Sequence, residues 1–419
     1  MKIAITSDFY YPMTNGVAVF SQNLAKGLAR RGHDVMVICP SQTGKYHVRH
    51  KDGVRIVALS AVKFPFYPDQ VHDVPKQKKI LGMNLPRVTY KNGIRVANRP
   101  YHELKKALDD FQPDVIHNQM VITIAVAVMY YVKHHNPVPL VSTGHAYPDN
   151  LTGQMHWLHL MKKPTDAIVR KYFASFLKMA DYATAPTETA IGDLVSGGAD
   201  NFKIPIEALS NGVDLTEFSA GEADKRVLQK YKLDNETQKV LYVGRLDPEK
   251  SIEQVVKAFK MASQRLDNVE LIIAGDGTAK ARLEGLVERL QIKDKVKFLG
   301  KVSLPALADI YRAGDVFATA SKTETQGLVL VEAAASGLPL VAVDAGAVKE
   351  ICQNNMNGIL CQPDDIAGIA SAIEKILSDK QLREKYTKNS LEIAKQHDIN
   401  RTLSRFEEIY REAISLKNV

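Results

Sequence analysis

DVFATASKTETQGLVLVEAAASGLPLVAVD, Asp315 to Asp344, is the stretch that indicates the class of fold. Its two ends, DVFATAS and PLVAVD, are short apolar runs of strand length. Between them, Gly327 opens an apolar run of helix length. Continuous apolar strands separated by helices are typical of parallel sheets that helices cover on both faces. The stretch therefore predicts a strand, a helix and a parallel strand of an α/β domain.

The same alternation continues along nearly the whole chain. KIAIT, DVMVICP, RIVALS, DVIHNQ and PLVSTGH have the composition of strands in the first half, as do KVLYVG, VELIIAG and VKFLG in the second. A length of 419 residues favours about two domains. A loop-rich stretch, Ile206 to Glu222, separates the two series of strands. We expect two doubly wound α/β domains, one of residues 1–208 and one of residues 209–399.

The composition is that of a folded, water-soluble protein, with 45% hydrophobic and 24% charged residues. Its three cysteines lack the close paired spacing of zinc or redox sites, which favours a reducing compartment. The first residues run directly into a strand-like segment, so we expect no secretion signal. The longest apolar run, Val121 to Val132, is shorter than the roughly 20 residues that cross a bilayer, and it predicts a buried helix. These features together favour a cytoplasmic location.

The net charge of +8 is unevenly distributed. Residues 1–200 hold 24 Lys and Arg against 15 Asp and Glu, a net +9, and the rest of the chain holds 31 against 32, a net −1. Such asymmetry indicates an acidic partner, either a phosphate-rich surface or nucleic acid, unless it only reflects a generally basic protein. No recognition motif with interleaved aromatic residues accompanies the charge, so we expect no nucleic-acid partner.

Two cations stand in YVGRLDPEKS, where a predicted strand ends and a helix begins. Arg245 and Lys250 at a helix start oppose the helix dipole, which is unfavourable for stability but suited to gripping a diphosphate. The alternative is a solvated turn. The chain contains no Asp-x-Asp pair that would clamp a metal on a diphosphate, so we expect these cations to supply the positive charge and no metal to be required.

SKTETQGLVLVEAAASG places two carboxylates around a glycine. Gly327 allows close approach of the backbone to a ligand, and the amides of Gly327 and Leu328 would form an anion site at the helix start. Glu332 follows about one and a half turns later, on the ligand side, where it could accept hydrogen bonds from ribose hydroxyls. Glu324 would face the other end of the same ligand. The alternative is an ordinary turn with one charged residue at each end.

Two further positions in the first half carry weaker signals. His145 stands at the mouth of the loop STGHAYPDN, with Asp149 nearby, and Gly16 stands in the first strand-to-helix loop. A lone histidine is more often structural than catalytic, and a lone turn glycine is weak support for a site. IIAGDGTAK lacks the lysine and hydroxyl of a phosphate loop, and we discount it.

Together, GRLDPEKS and the later Glu-x7-Glu with an internal Gly-Leu resemble the GT-B-fold retaining glycosyltransferases of family 4. The resemblance extends over nearly the whole chain, including DFYYPMTNGV, the STGH loop and LSNGVD. It implies two Rossmann-like domains facing across a cleft. It also implies that a final helix, Asn400 to Leu416, returns to the first domain, which would then include residues 400–419. A nucleotide-sugar donor would bind the second domain and an acceptor the first.

The resemblance also implies a role for each candidate residue. His145 corresponds to the catalytic-site histidine, and Glu324 contacts the donor sugar. The donor-binding residues are Arg245, Lys250 and Gly16 for the diphosphate, Gly327 and Leu328 for phosphate through their amides, Glu332 for ribose, and the backbone of Lys301 and Val302 for the base.

Within the family, the Thr-Gln of SKTETQG makes this stretch similar to the corresponding one in the diacylglycerol glucosyltransferases. FPFYP, Phe64 to Pro68, and the basic stretch through Lys76, Lys78 and Lys79 are similar to them as well. The histidine loop reads HAYPD where those enzymes have HTMYE, which leaves the acceptor open. The expected reaction is transfer of a hexose from a nucleotide sugar, UDP-glucose first, to a membrane lipid such as diacylglycerol, with retention. The alternatives are a mannosyl- or galactosyltransferase acting on a soluble or polysaccharide acceptor, and a non-catalytic sugar-nucleotide-binding protein.

A candidate membrane-facing segment lies in the first domain. DAIVRKYFASFLKMA has apolar residues at helical spacing and basic residues on its flanks, as in an interfacial helix over anionic lipid. The apolar positions are Ile168, Tyr172, Phe173, Phe176 and Leu177, and the basic ones are Lys162, Lys163, Arg170, Lys171 and Lys178. The alternative is a helix that packs its apolar stripe into the domain core. We expect a peripheral protein at the inner face of the cell membrane.

Overall fold

The computed structural model describes residues 1–13, 15–63, 76–80, 83–87, 95–119, 122–145, 162–196, 203–234 and 236–417, with only the backbone for 76–80, 83–87 and 162–164. FPFYP, the end of the histidine loop from Ala146 to Asn150, and the side chains of the predicted basic positions 76, 78, 79, 162 and 163 therefore lie outside the described part. The chain divides into two compact units, Met1–Asn211 with Asn400–Val419, and Gly212–Ile399.

The first unit is built on an eight-stranded sheet in the order β12-β11-β10-β9-β1-β2-β4-β3, parallel except for β3 against β4. Two antiparallel pairs, β5 with β8 and β6 with β7, accompany it. The strands are β1 (Lys2–Thr6), β2 (Asp34–Pro40), β3 (His47–Lys51), β4 (Val54–Leu59), β5 (Ala61–Lys63), β6 (Lys76–Ile80), β7 (Met83–Arg87), β8 (Arg95–Ala97), β9 (Val115–Asn118), β10 (Leu140–Thr143), β11 (Tyr182–Ala185) and β12 (Ile206–Ala208). The helices described before the unit boundary are α1 (Gly16–Arg30), α2 (Tyr101–Phe111), α3 (Thr123–His134), α4 (Lys162–Leu177) and α5 (Glu188–Ser196).

Helices cover both faces of this sheet. On one face, Ala4 and Ile116 share a core with Leu108 of α2 and Val128 of α3. The other face is reached by the last helix, α14 (Ile399–Lys417), since the Tyr410 hydroxyl lies 2.8 Å from His117 Nδ1 on β9. The described part of the apolar run that predicts a buried helix leads into α3 and supplies most of its residues.

The second unit is built on a six-stranded parallel sheet in the order β15-β14-β13-β16-β17-β18. Its strands are β13 (Gln238–Val243), β14 (Val269–Ala274), β15 (Val296–Gly300), β16 (Val316–Ala318), β17 (Leu340–Val343) and β18 (Gly358–Cys361). Its helices are α6 (Lys225–Tyr231), α7 (Ile252–Ala262), α8 (Lys280–Arg289), α9 (Leu304–Arg312), α10 (Leu328–Ala335), α11 (Val348–Ile351), α12 (Ile366–Ser378) and α13 (Lys380–Lys395).

Alternate residues of the central strand β13 enter different cores. Val240 and Tyr242 pack in one hydrophobic cluster, while Leu241 and Val243 pack in the other. Because both faces of the sheet are buried, every residue of such a strand can be apolar. The structure confirms the predicted α/β class and the two doubly wound parallel sheets.

The last helix is anchored to the first unit by polar contacts along its length. Arg405 forms an ion pair with Glu207 at 2.8 Å, and Lys417 forms one with Asp181 at 3.1 Å. His33 Nε2 lies 2.7 Å from a carboxylate oxygen of Glu407. Residues 400–419 accordingly belong to the first compact unit.

The predicted membrane-facing stripe on α4 is wrong in three of its five apolar positions. Phe173 is only 6% exposed, and with Leu177 it fills a core against Ala183 and Leu194. Phe176 packs against the same core. The helix is amphipathic because one side fills the interior, and that side carries Phe173 rather than Ile168. Within the described ranges, no helix combines the length and apolarity that crossing a membrane requires.

Candidate active site

The point at which the strand order of the second sheet reverses lies between β13 and β16. From β13 the chain adds β14 and β15 on one side, then returns to add β16, β17 and β18 on the other. In open α/β sheets, ligands bind at such a switch point, beyond the carboxyl ends of the strands. The loops that follow β13 and β16 are the ones that contain the predicted cations and carboxylates.

Arg245 and Lys250 lie in the loop between β13 and α7, as the sequence predicts. The Arg245 guanidinium forms ion pairs with Asp247 and, at 2.8 Å, with Glu249. Lys250 ends a short 3-10 turn, Pro248–Lys250, and Ser251 leads into α7. This arrangement holds the two cations on a short, well-connected loop at the carboxyl end of the central strand.

The structure joins the two predicted motifs through one contact. Lys250 Nζ donates to Glu324 Oε1 at 2.6 Å, across 74 residues of sequence. Burial alone would raise the pKa of Glu324, but the Lys250 ammonium, the nearby Ser321 hydroxyl and the charge of Arg245 lower it below its ordinary value. Glu324 is therefore ionised at neutral pH, and its charge is balanced by a cation that a phosphate group could also bind.

Gly327 forms the turn that starts α10. Its φ of 78° is left-handed, and a Cβ at this position would lie 2.9 Å from Leu330 Cδ1. The first four N–H groups of a helix have no partner within that helix. The start of α10 at Leu328, which follows directly on the loop that contains Glu324, thus has the N–H groups that favour anions at helix N-termini.

Glu332 lies on α10 and accepts a hydrogen bond from the Tyr311 hydroxyl at 2.7 Å. Burial raises the pKa of Glu332 to about 7. The hydrogen bond from Tyr311 lowers this pKa, and the charge of Glu217 raises it by a smaller amount. Near neutral pH the carboxyl group is thus divided between its neutral and charged forms. Tyr311 has no distinguishing sequence pattern, and only the packing of α9 against α10 reveals it.

Lys301 and Val302 follow β15, at the far edge of the same sheet. Lys301 is exposed, and Val302 packs against one of the two cores of the unit. Their place beyond the carboxyl end of a strand agrees with a ligand-facing loop.

Gly275 was discounted by sequence reasoning, but it positions the Arg245 loop. A Cβ at Gly275 would lie 1.8 Å from the carbonyl oxygen of Gly244, so only glycine allows this backbone contact. Gly275 N–H also donates to Gly300 O at 2.9 Å. The AGDG stretch after β14 therefore supports the loops of both its neighbouring strands.

His145 lies just beyond β10 in the first unit and is buried. Its Nε2 donates to the Gln119 side-chain oxygen at 2.8 Å, and its ring centroid lies 5.0 Å from that of Phe20. Burial lowers the pKa of His145 to about 3, so the imidazole is neutral at physiological pH. Since Nε2 carries the proton, Nδ1 has the free lone pair. Gln119, which fixes this orientation, was missed because it follows a different strand.

Gly16 is the first residue of α1, and the Asn15 side chain caps the helix by accepting from the Ala18 N–H at 2.8 Å. No heavy atom of the described residues lies within 4 Å of a Cβ built on Gly16. The described residues around it therefore set no packing requirement for glycine. In the part of the chain that the structure describes, no group of three or more His, Cys, Asp or Glu side chains could hold a metal ion.

Comparisons with known proteins cover both units. The family model described as Glycosyltransferase Family 4 matches residues 14–217, and the one described as Glycosyl transferases group 1 matches residues 224–392. Alpha-monoglucosyldiacylglycerol synthase of Streptococcus pneumoniae is 25% identical, over 92% of this chain and 80% of that protein. GDP-mannose-dependent alpha-mannosyltransferase of Mycolicibacterium smegmatis is 26% identical, over 91% of this chain and 90% of that protein.

Among solved structures, Anabaena Alr3699/HepE in complex with UDP-glucose superimposes with a TM-score of 0.71 at 18% sequence identity. The superposition covers 98% of this chain and 100% of that one. At this identity the likeness concerns the fold, which is GT-B.

Proposed function

Because the chain belongs to the GT-B glycosyltransferases of group 1 and family 4, we propose that it transfers glucose from UDP-glucose to a hydroxyl group of a membrane lipid such as diacylglycerol, with retention. The observation that carries the proposal is the 2.6 Å contact of Lys250 with Glu324 at the switch point of the second sheet, next to the N-terminus of α10. The similarity to the pneumococcal alpha-monoglucosyldiacylglycerol synthase supports the choice of sugar, linkage and acceptor.

The donor diphosphate binds Lys250, Arg245 and the amides of Gly327 and Leu328 in this proposal. A phosphate that reaches Lys250 competes with Glu324 for its ammonium group, which frees the carboxylate to accept hydrogen bonds from the donor sugar. The bond from the anomeric carbon to the diphosphate oxygen breaks while the acceptor oxygen bonds to that carbon, and the proton of the acceptor hydroxyl passes to the departing diphosphate. The leaving UDP gains negative charge, which fixed cations and helix amides stabilise.

The remaining roles follow the family resemblance. The backbone of Lys301 and Val302 binds the base, and Gly16 faces the diphosphate. His145, being neutral, acts through hydrogen bonds, with its Nδ1 lone pair available to a sugar hydroxyl. The positive charge comes from side chains and helix amides, with no metal required.

Glu332 gives the donor site a pH dependence that can be measured. Its carboxylate accepts hydrogen bonds from the ribose hydroxyls, but the neutral acid form accepts them poorly. Because burial raises the pKa of Glu332 to about 7, UDP affinity should fall as the pH drops below 7 and level off above it. Calorimetric titrations of UDP from pH 5.5 to pH 8.5 measure this dependence, and Glu332→Gln should bind UDP more weakly by about 1 to 3 kcal/mol at pH 8.

The phosphate groups of UDP also titrate in this range, and they do so equally for both proteins. The difference between the wild-type and Glu332→Gln profiles therefore reports Glu332 alone. If UDP affinity were the same in the wild type and in Glu332→Gln at every pH, Glu332 would only support the packing of Tyr311.

Membrane docking is proposed through the exposed side of α4 and the basic charge of the first half. Ile168 is 69% and Tyr172 43% exposed, and Lys171 lies between them on the exposed side. Each basic residue near an anionic surface contributes roughly 1 kcal/mol, and the attraction weakens with salt because the Debye length shrinks from about 10 Å at 0.1 M to about 3 Å at 1 M.

We therefore expect liposome flotation to recover the protein with anionic vesicles at low salt and to lose it at 1 M salt. Ile168→Ser should lower the recovery, since it removes a large apolar contact. Met261→Ser, at an exposed position on α7 in the other unit, is the matched control. Equal recovery in the soluble fraction with and without anionic lipid would contradict docking and favour a soluble acceptor.

Similarity to a mycobacterial enzyme supports a second candidate class of donor and acceptor. The mycobacterial relative is, by its name, a GDP-mannose-dependent alpha-mannosyltransferase. A radiolabelled transfer assay that crosses UDP-glucose, UDP-galactose and GDP-mannose with diacylglycerol, phosphatidylinositol and soluble sugars, with and without EDTA, separates the candidates. Label from UDP-glucose in a diacylglycerol product supports the proposal. Transfer only to soluble sugars contradicts it, and binding without any transfer indicates a non-catalytic protein.

A further inference from the structure

The first sheet has a switch point of its own, between β1 and β9. From β1 the chain adds β2 and β4 on one side and returns to add β9, β10, β11 and β12 on the other. In the second unit the equivalent place is bridged by Lys250 and Glu324. In the first unit it is bridged by Asp8, just after β1, and Thr123 at the start of α3, which follows β9.

Asp8 is buried with only one of its two oxygens satisfied. It is 3% exposed, and Oδ1 accepts from the Thr123 hydroxyl at 3.0 Å. Burial raises the pKa of Asp8 to about 6, although the Thr123 hydroxyl and the neighbouring backbone of residues 122–124 lower it. Oδ2 has no hydrogen-bond partner among the described residues. A buried carboxylate oxygen without a partner is unfavourable, so this atom requires an explanation.

Two unsatisfied donors lie on the same face of the neighbouring strands. Asn118 is in register with Thr6 on β1 and with Ser142 on β10, so the three side chains share one face. Asn118 Oδ1 accepts from the Thr6 hydroxyl, but Asn118 Nδ2 and Ser142 Oγ lack partners in the described part of the chain. Both residues are almost fully buried. One acceptor and two donors are thus left open at the carboxyl edge of three adjacent strands.

We propose that Asp8, Asn118 and Ser142 bind the hydroxyl groups of an uncharged acceptor headgroup, with Asp8 Oδ2 accepting a hydrogen bond from a hydroxyl. The inference rests on the proposed function and specifies its acceptor. A hydroxyl can donate to Oδ2 and accept from Asn118 Nδ2 or Ser142 Oγ, which matches the three open atoms. A phosphate has acceptor oxygens only, and next to Oδ2 it would be repelled.

The surroundings of Asp8 agree with this chemistry. The groups that most affect the pKa of Asp8 are burial, the Thr123 hydroxyl and the backbone of residues 122–124, and none of these is a cation that would compensate the charge of a phosphate. Burial, and after it the charge of Asp8, raises the pKa of Tyr172, which agrees with a position of α4 near the site. A headgroup bound here would therefore lie near Tyr172, on the same helix face as Ile168, where acyl chains could contact apolar side chains.

Equilibrium binding of a short-chain diacylglycerol tests the inference without requiring turnover. The full chain, saturated with UDP, is titrated with dihexanoylglycerol, with the corresponding phosphatidic acid, and with glycerol. We expect dihexanoylglycerol to bind more tightly than phosphatidic acid, and Asp8→Asn to weaken its binding about 10-fold or more. Glycerol tests whether the hydroxyls alone suffice.

Two variants separate binding from folding. Asp8→Asn keeps an oxygen that can accept from Thr123 but replaces the open acceptor with a donor. Ser142→Ala removes a hydroxyl that makes no hydrogen bond within the described residues, so it should leave the melting temperature unchanged. It should still weaken the binding of dihexanoylglycerol several-fold. UDP affinity should be unchanged in both variants.

Three outcomes would overturn the inference. These are unchanged dihexanoylglycerol affinity in Asp8→Asn and Ser142→Ala, phosphatidic acid binding as tightly as diacylglycerol, and no diacylglycerol binding by the wild-type protein. Binding that depends on Asp8 without any glucose transfer would instead refute the proposed reaction and leave this site standing.

Discussion

Replacing Lys250 with alanine should lower the rate of glucose transfer by about 100-fold or more. Loss of one fixed group that stabilises developing charge typically costs 10²–10³ in rate. The change also leaves the ionised Glu324 without the cation that lies 2.6 Å away, so its pKa should rise. UDP affinity should fall with the rate, because the diphosphate loses a charged partner both before and during the reaction.

Initial rates with UDP-glucose and calorimetry with UDP measure these two effects. Lys257→Ala is the matched control, since Lys257 is an exposed lysine on α7, the helix that the Lys250 loop enters. The control should behave as the wild type. Unchanged UDP affinity in Lys250→Ala would remove Lys250 from the donor site, whatever happened to the rate.

Replacing Glu324 with glutamine should lower the rate of transfer without lowering the affinity for UDP. The carboxylate competes with phosphate for Lys250, so its removal should leave UDP affinity unchanged or increased. Transfer should fall by about 100-fold, because in the proposed site the donor sugar loses its charged hydrogen-bond acceptor. Calorimetry with UDP and initial rates on the same preparation measure both quantities.

The two variants together test the idea that the ion pair occupies the phosphate position before the donor arrives. If Glu324→Gln weakened UDP binding as much as Lys250→Ala does, the role of the Lys250–Glu324 ion pair would be to hold the two loops together. A lower melting temperature in both variants would support that structural interpretation.

Much of the fold could be predicted because buried parallel strands leave a clear pattern. Residues 240–243 form a continuous apolar run, since Val240 and Leu241 enter cores on opposite faces. Shorter edge strands such as β12 and the polar pair β6 and β7 lack this pattern, and they were missed. The apolar stripe of α4 was misassigned because helical periodicity does not say which of Ile168 and Phe173 faces the core.

The candidate site could be predicted only as a set of separate loops. The sequence indicates that Arg245, Lys250, Glu324 and Gly327 follow strands, because strands and loops alternate regularly. It does not give the order of strands in the sheet, and the Lys250–Glu324 contact exists only because β16 lies beside β13.

Tyr311 and Gln119 could not be predicted for the same reason, because their contacts depend on which elements lie side by side. Tyr311 meets Glu332 between two helices, and Gln119 meets His145 between two strand ends. Nothing in the spacing of these residues distinguishes them from other tyrosines and glutamines. The contact of Gly275 with Gly244 is likewise a property of two neighbouring strands, not of the AGDG sequence.

A crystal structure of the full chain with UDP is the most direct test of the donor site described here. We predict the diphosphate within hydrogen-bond distance of Lys250 Nζ and the amides at the start of α10, with Glu324 released from Lys250. The ribose hydroxyls should contact Glu332, and the uracil should lie against the backbone of Lys301 and Val302. A nucleotide whose diphosphate lay away from Lys250, with the Lys250–Glu324 ion pair intact, would contradict the account.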